Sequence, residues 1–179
     1  MIKIYKENPK MATIKFLNAQ GKYADDLARQ TVISYILQPA KTPHRIIGGA
    51  YVDMTNPAQS MTDIAVHYGK DSKVRLRHFV LSFNPGEVSD PETIHLIADW
   101  LCKYIGMNYQ VVFAVHEDTP HPHIHFVFNS VSHRTGKRYR GDKQEYYDIL
   151  NCAKTALHQV GIHVLIESKY LPAVTGPNE

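Results

Sequence analysis

Apolar and polar positions along this chain alternate with period two in some stretches and recur at helical spacing in others, and the two periods mark ten elements. Residues 11–17, "MATIKFL", alternate and carry β-branched residues, so they predict a strand. In 22–38, "KYADDLARQTVISYILQ", Leu27, Val32, Tyr35 and Ile36 fall near helical spacing, and Pro39 ends the run. A strand softened by a Gly pair is expected over 45–54, and a helix opening at Pro57 and closing at Gly69 follows. The clearest alternation lies in 73–84: Val74, Leu76, His78, Val80 and Ser82 share one face, and Arg75, Arg77, Phe79, Leu81 and Phe83 the other. The best helix is 89–106, with Ser89 or Asp90 as cap and Ile94, Ile97, Ala98, Leu101 and Ile105 as its apolar stripe.

Two strands, 109–117 and 123–132, are separated by the short turn "DTPHP", so they should pair as a hairpin at the centre of a sheet. A basic loop, 133–143, a helix over about 144–160 and a closing strand, 162–167, complete the order β α β α β α β β α β. That order predicts one α/β (α+β) domain over 11–170: a mainly antiparallel sheet with helices packed on one side of it. Residues 1–10 read as a lead that is disordered or foreign to the domain, because "MATIKFL" offers a second beginning at Met11, and 171–179 read as a tail.

Composition narrows the class without deciding it. The 179 residues carry a net charge of +3, too mild to imply a polyanion partner without local clustering. The two cysteines, Cys102 and Cys152, fall in helical segments and make no disulfide framework, which points to a reducing cytosol. No run approaches the roughly 18 consecutive apolar residues of a membrane span, so no membrane insertion is expected.

Residues 116–129, "HEDTPHPHIHFVFN", hold the candidate chemistry. On a strand, His123 and His125 share a face, while Phe126 and Phe128 take the opposite one. The hairpin brings His116 alongside, so three imidazoles converge as metal ligands and leave positions for water or substrate oxygens. His121, in the turn, is an auxiliary candidate. Imidazoles alone suit zinc, copper, iron or nickel; phosphate oxygens from a substrate would admit manganese or magnesium. Asp118 could hydrogen-bond the second nitrogen of a ligand histidine. In "HRTGKRYR", Arg134, Lys137, Arg138 and Arg140 surround Tyr139, a mixture suited to a single-stranded backbone with a stacked base, and Lys73, Arg75 and Arg77 add charge on another strand.

Three stretches, "SYILQPAKT", "RHFVLSFNPGEVS" and "HEDTPHPHIHFVFNSVSHRTGKRYR", resemble in order and spacing the three motifs of the relaxase/mobilization nuclease family, P-type conjugative relaxases of the HUH endonuclease superfamily. The resemblance spans about 11–167 and implies specific roles. Tyr35 is the nucleophile that becomes joined to the 5′ end of a nicked strand at an origin of transfer. Ser82 contacts DNA near the nick, and His116, His123 and His125 hold a divalent ion, Mn2+ or Mg2+. Asp118 or a histidine assists Tyr35. The implied partners are single-stranded or locally melted DNA, accessory relaxosome proteins and a secretion-system coupling protein, in a bacterial cytoplasm. Relaxases of this kind continue beyond such a length, so an isolated nuclease domain ending in "KYLPAVTGPNE" is expected.

Two alternatives compete. Tyr146 and Tyr147 follow the histidines on a helix, which is the layout of rolling-circle replication initiators. A DNA-binding module with a structural metal is the other, although a closed structural site needs a fourth protein ligand.

Overall fold

The computed structural model describes residues 11–17, 22–88, 90–162 and 165–167. The elements are β1 (Met11–Phe16), α1 (Ala28–Ile36), β2 (Ile47–Ala50), α2 (Pro57–His67), β3 (Leu76–Ser82), α3 (Pro91–Gly106), β4 (Val111–His116), β5 (His123–Asn129), α4 (Lys143–Gln159) and β6 (Leu165–Glu167). The order is the one expected from periodicity; the lead 1–10 and the tail lie outside the described residues.

Local chemistry sets the boundaries. Asn56 and Asp90 cap α2 and α3, each with Pro in the first turn, where a missing N–H costs nothing; the Asp90 side chain accepts from the backbone N–H groups of Glu92 and Thr93. Asp142 caps α4 by accepting from the Glu145 N–H. Helix α1 starts six residues later than its apolar spacing suggested, after a turn in which Asp25 accepts from the Leu27 N–H.

The six described strands run in the order β2-β4-β5-β3-β1-β6, antiparallel except for the β1–β6 pair. The β4–β5 hairpin is interior, as expected. Helices do not lie on one side. α3 and α4 cover one face, burying Phe79, Phe113, Phe126 and Phe128. α1 and α2 cover the other through Ile33, Ile36 and Met61, over Leu76, Val112, Ala114 and Val127. The reason is visible in β4: all six residues of "VVFAVH" are buried, so it is apolar on both faces and cannot leave either to water. The edge strand β2 approaches closely because its glycines have no side chain. A Cβ on Gly48 would lie 2.6 Å from the Phe113 ring, its cross-strand partner.

The α1/α2 face carries the histidines. Alternation along β4 and β5 puts His116 with Ala114 and Val112, and His125 with Val127, while the phenylalanines point to the α3/α4 core.

Candidate metal and nucleophile site

The register pairs His116 with His123 and Ala114 with His125, so the hairpin itself assembles the three imidazoles. One ligand nitrogen from each lies within 4.8 Å of the other two. His116 and His125 are 0% and 5% exposed, so neither ring is offered to bulk water.

Each ring uses one nitrogen to hold its orientation. His116 Nε2 donates to the carbonyl of Ile36 at 2.9 Å, and His123 Nδ1 to the carbonyl of His121 at 2.9 Å. His125 Nδ1 lies 2.8 Å from Nε2 of His78, whose Nδ1 lies 3.2 Å from the Tyr23 hydroxyl. His116 Nδ1 and His125 Nε2 are buried with no hydrogen-bond partner among the described residues. Orphaned buried nitrogens that converge with a third imidazole are the donor set a divalent ion satisfies, and ligation requires neutral rings. Burial supplies that state: it pushes His116 below the ordinary histidine range and His125 down to about 2, with neighbouring imidazoles adding to the shift. These residues fit a metal. Among the described residues the group has three members, without the fourth protein ligand that closes a structural site. Cys102 and Cys152 are buried in the core on the other face of the sheet.

Tyr35 comes to the same place from α1. Its ring stands edge-on to His116 and His125, with centroids 5.7 and 5.8 Å away, and it is 42% exposed. The His116–Ile36 hydrogen bond ties β4 to the residue next to Tyr35. Ser82, at the end of β3, is the cross-strand partner of His123. Tyr146 is placed elsewhere: it is buried in the α3/α4 core, its ring 5.3 Å from Phe16. Tyr147 follows it on α4, on the far side of the sheet from the histidines.

Asp118 does not reach a histidine. Its Oδ2 takes the Lys41 ammonium at 2.8 Å, which holds the carboxyl below its ordinary range and raises Lys41. The second nitrogen of His116 goes to a backbone carbonyl instead. Lys41 Nζ sits 5.2 Å from the Tyr35 ring centroid, so the Asp118 charge reaches Tyr35 through a cation. His121 is exposed and offers its carbonyl rather than its ring to His123.

The basic residues divide. Lys73, Arg134, Lys137 and Arg140 are exposed. Arg75, 8% exposed, is ion-paired with Asp26 and Asp71. Arg138 braces the preceding loop through the carbonyls of Lys70, Ser72 and Val74. Arg77 donates to the Tyr139 carbonyl at 3.2 Å and lies over its ring. Tyr139 is 5% exposed, so it offers no surface for stacking. The loop lies beyond the end of β5 opposite the histidines, roughly 20 Å away at about 3.3 Å per strand residue.

His78, Tyr23 and Lys41 were not singled out as site residues from sequence. His78 carried a signal, since it shares the Ser82 face of β3, and Lys41 stands inside "SYILQPAKT". Tyr23 carried none: it lies outside any element, at a positive φ of 68°.

Residues 35–162 match the family described as Relaxase: MobA/VirD2-like, nuclease domain. The chain belongs to this family and is a DNA relaxase nuclease domain. Among curated proteins it is 38% identical over 78 residues to the protein Rlx of Staphylococcus aureus, a stretch that covers 44% of this chain and 24% of that one. It is 37% identical over 71 residues to the group II intron-interrupted relaxase LtrB of Lactococcus lactis, covering 39% and 13%. The matched stretches thus span a quarter or less of those relatives. The fold resembles the MobM relaxase domain, solved with manganese and bound to plasmid pMV158 oriT DNA. The TM-score is 0.57 at 14% identity, with 94% of this chain and 95% of that one covered.

Proposed function

We propose that this domain nicks one DNA strand at an origin of transfer by transesterification, with Tyr35 as nucleophile and a divalent ion, Mn2+ or Mg2+, held by His116, His123 and His125. The observation that carries the reading is the edge-on placement of the Tyr35 ring against His116 and His125, 5.7 and 5.8 Å away. The relaxase family and the oriT-bound MobM domain of the same fold support it.

In this reading Tyr35 Oη attacks the scissile phosphorus and the P–O3′ bond breaks. The chain keeps the 5′ phosphate as a phosphotyrosine and releases a 3′-hydroxyl. One phosphoester replaces another, so the step runs backwards when a 3′-hydroxyl attacks the adduct, which suits nicking and rejoining. A cation at the histidines would draw negative charge from the non-bridging oxygens. His116, through Ile36, keeps that position registered to Tyr35. Ser82 lies beside His123, where a strand entering the site would pass. The Lys41–Asp118 pair presents a cation next to the attacking ring.

The partner is single-stranded or locally melted DNA, since the phosphate must come in line with a tyrosine on a fixed helix. Lys73, Arg134, Lys137 and Arg140 would follow its backbone. Accessory relaxosome proteins would melt the origin and a coupling protein would deliver the adduct to a secretion channel, from a bacterial cytoplasm. No described helix is long and apolar enough to cross a membrane.

The deciding experiment incubates the protein with Mn2+ and labelled single strands spanning the transfer origin of its own element. A covalent adduct that survives denaturing electrophoresis, is lost in Tyr35→Phe and persists in Tyr146→Phe/Tyr147→Phe is expected. Loss only in the double variant would establish a replication initiator instead.

A further inference from the structure

On the face away from the histidines, between the C-terminal end of α3, the start of α4 and the ends of β4 and β5, lies a cavity of about 170 Å³. Tyr104, Tyr109, Phe128 and Tyr139 supply its aromatic walls, and Glu145 and Asp148 its charge. The rings are mutually braced: Tyr109 packs 5.7 Å from both Phe128 and Tyr139, and Phe128 lies edge-on to Tyr139 at 5.0 Å. The Tyr139 hydroxyl is buried and has no hydrogen-bond partner among the described residues, and burial with the nearby Glu145 charge pushes that phenol up. The same two causes push Tyr109 up to about 12, so both phenols sense the Glu145 carboxylate. Glu145, which lines the cavity, is itself half-buried; burial raises its carboxyl, while backbone N–H groups, Gly141 at 2.6 Å among them, act to hold it ionised. Exposed Arg134 donates to the carbonyl of Met107, one of the lining residues, at 3.4 Å.

The geometry points to a pocket for one extruded nucleobase of the bound single strand, with guanine as the base it selects. This rests on the reading of the protein as a single-strand DNA nickase. The cavity is smaller than the roughly 300 Å³ or more of drug-sized sites, which suits a single planar ring system. Aromatic walls stack with any base. A carboxylate discriminates between bases, because it accepts hydrogen bonds and donates none. Guanine alone presents two adjacent donors, N1–H and N2–H, on its Watson–Crick edge. Adenine and cytosine set a ring acceptor beside their amino group, and thymine flanks one N–H with two carbonyls, all of which oppose a carboxylate. Arg134, tied to the lining residue Met107, would meet the attached phosphate. Tyr139 regains a part in DNA recognition through its ring, as a wall of the pocket rather than as a surface platform. The separation from the histidines places the selected base several nucleotides from the nick.

The test uses Tyr35→Phe protein, so that no covalent chemistry intervenes, and a twelve-nucleotide oligo-dT carrying one central dG, deoxyinosine, dA or dC. Anisotropy should show the dG strand binding about tenfold more tightly than the dA and dC strands. Deoxyinosine, which lacks the N2 amine, should fall between them. Glu145→Gln and Tyr109→Leu should each erase the preference while binding of plain oligo-dT continues, and His116→Ala should leave the preference intact. Equal binding of all strands, or a preference that survives Glu145→Gln, would overturn the pocket and leave the nickase reading standing. Failure to bind any strand would remove both. Saturable binding of an arginine-bearing peptide, lost in Glu145→Gln and without any base preference, would assign the pocket to a protein partner instead.

Discussion

His78 shows how much of this site is decided by single nitrogen atoms. For His125 Nε2 to ligate a cation, its Nδ1 must carry the proton and donate to His78 Nε2, and His78 Nδ1–H must then donate to the Tyr23 oxygen. The chain of two imidazoles and a phenol thus selects the ligating tautomer without a carboxylate. His78→Ala should weaken Mn2+ binding about 10- to 100-fold, read by electron paramagnetic resonance or calorimetry, while Tyr23→Phe costs less. Protonation gives a second test in metal-free protein. Burial pushes His78 down from 6.5 to about 4, and His125 to about 2. The unfolded chain takes up protons near 6.5 and the folded one does not, so stability is full above that pH and falls as pH drops from about 6.5 toward 4. Urea midpoints at pH 7 and pH 5 should show the loss, and His78→Phe should reduce it.

At the scale of elements, caps and packed rings are where the sequence acts on the site indirectly. Asp90 holds the first turn of α3 with two hydrogen bonds to backbone N–H groups, so Asp90→Ala should cost about 1 kcal/mol, seen as a lowered Tm. Phe79 is fully buried, stacked on Phe16 at 5.0 Å and on Phe126 at 4.8 Å. Phe79→Ala should cost about 3–5 kcal/mol in chemical denaturation. Both changes lie on the α3/α4 side, so the residual folded protein should still form the Tyr35 adduct. Boundaries followed the caps and turns more faithfully than apolar spacing. The overlong reading of α1 arose because Leu27 fits the helical stripe yet is 63% exposed, on a turn outside the helix.

For the whole molecule, the sheet acts as a partition. One face holds His116, His125 and the helix bearing Tyr35; the other holds Tyr146, the cysteines and the aromatic cavity. This partition separates the two candidate nucleophiles that the chain order left open. It also makes the basic residues unequal. Exposed Lys137 and Arg140 should each contribute to the salt dependence of DNA binding, and Lys137→Ala should lower the slope of log affinity against log salt by about 0.7. Arg75→Ala should instead lower stability, because it strips from Asp71 one of its two buried guanidinium partners, leaving Arg29 alone.

Strand alternation and a short turn were enough to bring three histidines to one face, because side-chain direction in a hairpin is a local property of the backbone. The element order and the family likeness were legible on the same ground: both are written in runs of neighbouring residues. What lay beyond the sequence were the partners of those residues. Asp118 pairs with Lys41, 77 positions away, rather than with a nearby histidine, and His125 is oriented by His78, 47 positions away. Tyr139, polar at its tip and set among arginines, reads as a surface aromatic but is buried once Tyr109 and Phe128 close around it. Local pattern decides which face a side chain takes. Which distant group satisfies it, and whether water can reach it, is decided when both faces of the sheet are covered.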